Sequence, residues 1–249
     1  MGSDFKQWSI DLVDGCDDID IDPAQDLLVV AEKRSAIDTL ISDEPFNIHL
    51  RTMSTGEPHS KAPWDRKVLR YTPPNESWLS GPCYVWIFGH LLVGMFSVDF
   101  IAHIVIWNWA TGQELAYLTI AWAGASCDLE LLSERSFLIC RPACSYDANP
   151  SFPPDTLGWL SVYQFNPDAA TPTQAIHVGS FALPACKPES VWYYHMTLHP
   201  APAISPLGAL NYQGSPAKIY GLTPDDRLLR VDVFMSWFEG RGGLFFIFF

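Results

Sequence analysis

The residues with the plainest chemical potential are acidic. Asp11, Asp14, Asp17, Asp18, Asp20, Asp22 and Asp26 crowd into one short stretch, and Asp18-x-Asp20-x-Asp22 has the spacing with which an EF-hand calcium loop begins. Pro23 stands where that loop demands Gly, and no Glu follows at its closing position. Alternation with Ile19 and Ile21 reads instead as a strand, and the expectation is that its Asp residues form the wet face.

A second candidate is a zinc site. Soft thiolates and imidazoles at short spacing can share a tetrahedral ion, and Cys140-x3-Cys144 with His195-x3-His199 supplies four such groups. The two pairs are far apart in the chain, however, and a strand holds i and i+4 about 13 Å apart, too far to chelate one metal without a turn. Pro142 could make that turn for the cysteines, but unrelated core and loop residues are the preferred reading.

Covalent catalysis and phosphate binding find no motif. There is no Gly-x-Ser-x-Gly elbow, and seven His among many Asp guarantee chance pairings, so no triad follows from their presence. Neither Gly-x-Gly-x-x-Gly nor Gly-x4-Gly-Lys occurs, and Gly240-Arg241-Gly242-Gly243 precedes no plausible helix. The expectation is a protein that is not an enzyme, with no catalytic, cofactor or metal residues to assign and a binding site whose residues the sequence does not reveal.

Composition says what must position any such groups. The 249 residues are 48% hydrophobic and 17% charged, enough apolar material for stacked sheets, while 14% aromatics and 20 Pro favour short strands joined by turns. A net charge of −13 repels nucleic acid and anionic membranes, so a neutral or basic protein surface is the expected partner. Cys16, Cys83, Cys127, Cys140, Cys144 and Cys186 are scattered, as free thiols are, not packed as in a disulfide scaffold. The polar start, Met1 to Lys6, carries no signal core, which predicts an intracellular protein, cytoplasmic or nuclear, in which the sequon Asn75-Glu76-Ser77 goes unused. Tyr84 to Val98 is interrupted by His90 and followed by Asp99, short of a membrane span. The apolar end, Leu244 to Phe249, is expected to be either a strand whose partners are missing or the product of a faulty gene prediction.

A repeat organises the chain. Ile48 to Glu57, Ile104 to Gln113 and Leu160 to Asp168 superpose at a constant offset of 56 residues. Ile48/Leu50, Ile104/Ile106 and Leu160/Val162 alternate as a half-buried strand does, Met53, Trp109 and Phe165 follow, and each copy then enters turn chemistry containing Gly56, Gly112 or Asn166-Pro167-Asp168. Upstream lie Leu27 to Glu32, Leu91 to Phe96 and Phe137 to Cys140, near-continuous apolar runs that suit strands buried on both faces. A weaker fourth unit is expected at Lys218 to Gly221 and Arg227 to Val233. Polar, Pro-rich Glu57 to Pro74, Arg141 to Asp155, Asn166 to Gln174 and Pro184 to Glu189 read as loops. The fold expected is all-β, a β-propeller of WD-repeat-like blades of this length, with three clear blades and part of a fourth in one domain spanning 1–249 and truncated at both ends. Of the ten Trp, Trp107 and Trp109 lie in the repeated strand and blade packing explains at least Trp109, while Trp64, Trp78, Trp122 and Trp192 sit near loops where they could serve as surface anchors, packing being the preferred reading of each.

The run Val105 to Gly112 resembles the strand-and-turn of WD-repeat-like propellers. Ile21 to Val30, His49 to His59 and Val105 to Trp109, with Phe181 to Pro184 and Asp226 to Leu229, together resemble the region after the F-box in F-box proteins of mushroom-forming fungi. In such proteins the F-box docks on the adaptor of a cullin ubiquitin ligase and a propeller captures the protein to be ubiquitinated. Nothing before Trp8 suits F-box helices, so the resemblance implies the substrate-recognition part, and an adaptor contact only where an F-box accompanies it. A hydrolase or lyase on the same scaffold would need carboxylates clustered in a central channel. A non-functional fragment of an expanded gene family would aggregate on expression.

Overall fold

The computed structural model describes residues 9, 12, 15–32, 45–63, 67–73, 80–98, 101–121, 128–142, 158–183, 191–200, 229–237 and 242–248. Every regular element among them is a strand, and none of them forms a helix long and apolar enough to cross a membrane. The all-β expectation is met. The chain divides into two compact units, residues 1–121 with 169–172, and residues 122–168 with 173–249.

The first unit holds two antiparallel meanders. β1 (Cys16–Asp22), β2 (Leu27–Glu32), β3 (Phe46–Thr52) and β4 (Val68–Tyr71) pair in chain order, as do β5 (Ser80–Phe88), β6 (Leu91–Val98), β7 (Ile101–Asn108) and β8 (Gln113–Ala121). Both sheets bury one face in a common core. Ala31, Ile48, Leu50 and Leu69 of the first sheet share it with Cys83, Val85, Phe96 and Trp107 of the second. β2 and β6 are buried along their whole length, as their largely apolar sequences require, with Glu32 and Ser97 the buried polar residues. Gly94 in β6 has a packing reason. A Cβ there would come within 2.8 Å of the Phe96 ring and 2.9 Å of Trp107, so Gly94→Ala should cost about 1–3 kcal/mol by overpacking.

In the second unit β9 (Asp128–Ser133), β10 (Ser136–Pro142) and β11 (Gly158–Gln164) pair in sequence. After the two-residue β12 (Thr173–Gln174), β13 (Ile176–Ala182) closes the row beside β11. A fourth sheet follows, β14 (Val191–Pro200), β15 (Leu229–Trp237) and β16 (Gly242–Phe248).

The 56-residue repeat falls on equivalent elements. β3, β7 and β11 are each the third strand of a sheet, and β2, β6 and β10 the second. One bond recurs with them. The backbone N–H of Met53 donates to Asp26 O at 2.8 Å, that of Trp109 to His90 O at 3.1 Å and that of Phe165 to Arg135 O at 2.9 Å. In every copy the residue leaving the third strand is thereby tied to the turn that opens the second. Gly56 and Gly112 then sit at φ 74° and 66° and donate back to Thr52 O and Asn108 O, a left-handed closure that side-chain-bearing residues resist. Within the first unit β5 lies beside β1 and β2, and within the second β14 lies beside β9 and β10, so the first strand of one sheet meets the opening hairpin of the sheet before it.

Four expectations need correction, the first being that Arg141 to Asp155 is loop throughout, because Arg141 and Pro142 end β10 opposite Trp159 and Gly158. The apolar end is not a strand without partners: β16 pairs with β15 from Arg230↔Phe248 to Ser236↔Gly242. The polar stretch Glu57 to Pro74 is not all loop, because Val68 to Tyr71 pairs with Phe46 to His49, and Asn166 to Gln174 ends in β12. In both cases short strands hide in polar sequence because their partners supply the ladder. Of the weak fourth unit, Leu229 to Val233 lies in β15, whereas Lys218 to Gly221, Arg227 and Leu228 lie outside the described residues.

Candidate functional site

The acidic stretch is where structure and sequence differ most. β1 is a strand, as alternation implies, but its faces are exchanged. Ile19 and Ile21 are 56% and 51% exposed, while Asp17, Asp18, Asp20 and Asp22 are only partly accessible. The Asp face is not the wet face, because it is turned to the open edge of β5. Asp17 Oδ2 accepts the Cys83 N–H at 3.0 Å, Asp18 Oδ2 that of Val85 at 2.8 Å, and Asp20 Oδ2 that of Ile87 at 2.6 Å. Buried N–H groups that lack a strand partner must be satisfied somehow, and here carboxylates do it.

The match follows from backbone geometry. In β5 every second N–H points away from β6, and in β1 every second side chain points the same way, both with a repeat of about 6.7 Å. Asp17 and Asp18 are adjacent and would ordinarily face opposite sides. A bulge between Cys16 and Asp18 in the pairing with β2 brings both to the edge. Burial pushes the Asp18 and Asp20 carboxyls above their usual range; the backbone bonds oppose this, and neighbouring carboxylates reinforce it.

The remaining Asp residues shape a turn. Asp22 Oδ1 accepts the Ala24 N–H at 2.9 Å, and Asp26, at φ 54°, binds the Ser54 N–H and hydroxyl at 2.8 and 2.6 Å. Gln25 reaches across to Gly89 O at 2.6 Å, the carbonyl that also accepts the Trp109 indole N–H at 2.9 Å. Trp109 is 1% exposed and meets His59 edge-on at 5.0 Å, so it packs as expected. Trp107 is likewise buried. Trp64, Trp78 and Trp122 lie outside the described residues, and Trp192 lies in β14.

Other polar groupings are local. Buried Glu32 accepts from Asn47 Nδ2 at 3.0 Å and meets His49 Nε2 at 3.1 Å, leaving Asn47 Oδ1 and His49 Nδ1 without bonds. Ser180 Oγ lies 2.8 Å from His177 Nε2 and 2.9 Å from Ser161 Oγ, and among the described residues no carboxylate bonds to His177. Cys140 is buried in β10, and His195 and His199 share the single strand β14, the extended geometry that separates i from i+4; Cys144 lies outside the described residues. Among the described residues no group of three or more potential metal ligands converges. Cys16 and Cys83 are free thiols, and burial, the largest effect, drives that of Cys83 well up.

The surface that stands out is β13, which sequence reading passed over. It ends the row of its sheet and is exposed nearly throughout, with Ile176 at 71%, Val178 at 55% and Phe181 at 62%. A bulge in its pairing with β11 leaves Val178 without a partner between His177 and Gly179. Its apolar and β-branched residues are those of any buried strand, so nothing in the sequence marks the exposure. Apolar side chains on an outer strand are what a docking surface requires. No protein-family model, curated protein or solved structure matches this chain.

Proposed function

We propose that this chain is a protein-binding module with a β-propeller-type arrangement of blades, acting without catalysis as the substrate-recognition part of an F-box receptor. Three lines support the blade reading: meandering sheets that repeat with the 56-residue period, the recurrent bond at Met53, Trp109 and Phe165, and first strands that meet the opening hairpin of the preceding sheet. The observation that carries the binding reading is the exposed apolar row Ile176, Val178 and Phe181 on β13.

The acidic row favours binding over hydrolysis. A glycosidase-type pair needs carboxylates facing a substrate, whereas Asp18 and Asp20 spend their oxygens on β5 and on the N–H groups of Ile19 and Ile21. The negative charge of the chain makes a neutral or basic protein surface the fitting target.

Affinity capture from an extract of a mushroom-forming fungus tests the proposal, with Val178→Asp/Phe181→Asp as the matched control. Wild type should retain a discrete protein that the variant loses while keeping its circular dichroism and unfolding midpoint. Equal retention by both, or turnover of a glycan or ester substrate, would refute it. Direct binding of the cullin adaptor by this chain alone would refute the assignment to the recognition half.

A further inference from the structure

The seam between β1 and β5 joins two sheets through carboxylates where strands would ordinarily pair. Three N–H groups, those of Cys83, Val85 and Ile87, rest on three side chains of one seven-residue strand, at 2.6–3.0 Å. Among the described residues no lysine or arginine pairs with Asp17, Asp18, Asp20 or Asp22. Negative charge is thus gathered beside an apolar core, since Asp18 and Asp20 stand in register with fully buried Ala31 and Val29. We propose that this seam is a proton-operated clasp, loosest when its carboxylates are all charged and tightened by acid.

The physical reason is a competition. A charged carboxylate makes the stronger bond to an N–H, but it must give up hydration and lie near like charges to do so. A neutral carboxyl keeps an acceptor oxygen for the same N–H and is freed of both costs. The ionisable groups around the seam do not reverse the balance. β1 adds Cys16, β5 adds Cys83 and Tyr84, and β2 adds Glu32, which stands opposite Cys16 and turns to Asn47 and His49. Among the described residues none of these groups is a cation.

The direction of the shifts agrees. With Asp18 and Asp20 raised from 3.8, the closed seam holds more protons than the open one between that value and the raised one. Its added stability is complete below the ordinary Asp value and is lost as pH rises through the raised value. A seam that loosens as its carboxylates ionise leaves the edge of β5 more open to an added strand.

Amide hydrogen exchange on the full chain, read as protection factors at Cys83, Val85 and Ile87 from about pH 7 to about pH 4, tests this. Protection should rise several-fold on acidification in wild type. In Asp18→Asn/Asp20→Asn, whose amide oxygens mimic the neutral acids, it should be high throughout and independent of pH. Wild-type protection that is flat or falls with acid would overturn the clasp, as would a folded Asn variant less protected than wild type at neutrality. Should the variant fail to fold, carboxyl-carbon NMR titration of wild type decides. Asp18 and Asp20 titrating above the ordinary Asp value support the clasp, and titration at or below it overturns it.

Discussion

β1 and β9 occupy the same place in their sheets, each the first strand and each paired with a buried second strand, yet they resolve the same alternation in opposite senses. In β9 Leu129 and Leu131 face inward, 1% and 3% exposed, while Asp128, Glu130 and Leu132 are only partly covered. In β1 the Ile residues face outward and the Asp residues inward. The difference lies in the neighbour. Behind the Asp face of β1 runs the open N–H edge of β5, which asks for acceptors, whereas the inner face of β9 packs Leu129 and Leu131 opposite Ile139 and Phe137 of β10. A period of two specifies a strand. Which of its faces is inside depends on what the next element lacks.

Substitutions should therefore follow hydrophobicity on β9 and run opposite to it on β1. Leu129→Asp places an unpaired charge at a site 1% exposed and should cost more than about 4 kcal/mol, read as a collapsed denaturant midpoint. Asp20→Ala leaves the Ile87 N–H without its acceptor and should cost about 1–3 kcal/mol by the same measurement. Asp18→Asn/Asp20→Asn should abolish the part of the stability that wild type gains on acidification; thermal melts from neutral to mildly acidic buffer would show a rising midpoint in wild type and a smaller rise in the variant. Ile19→Thr, on the exposed face of β1, should change stability by no more than about 0.5 kcal/mol. If Ile19→Thr were the costly change and Asp20→Ala the neutral one, the assignment of faces would be inverted.

The third and second strands of each sheet were legible because their chemistry is redundant. Ile48, Ile104 and Leu160 recur at one spacing, Gly56 and Gly112 close the same turn, and β2 and β6 are apolar except for Glu32 and Ser97 near their ends. The outer strands were not. β4 and β12 lie in polar sequence and are held by partners rather than by their own pattern. β13 carries Ile176, Val178 and Phe181 as a buried strand would, yet all three are exposed, whereas β9 at the other end of the same row buries Leu129 and Leu131. The acidic row was legible as a strand but misread as a solvated one. Its Asp side chains are bound to N–H groups about 65 residues away, and no local rule announces a tertiary partner at that distance.

The inward acidic face of β1 is the claim on which the contrast rests, and scalar coupling through hydrogen bonds tests it most directly. In deuterated, isotope-labelled protein, the amide nitrogens of Cys83, Val85 and Ile87 should correlate with the carboxyl carbons of Asp17, Asp18 and Asp20, in that order. Correlation of the same amides with backbone carbonyls of another strand, or their rapid exchange with water even in mildly acidic buffer, would contradict the account.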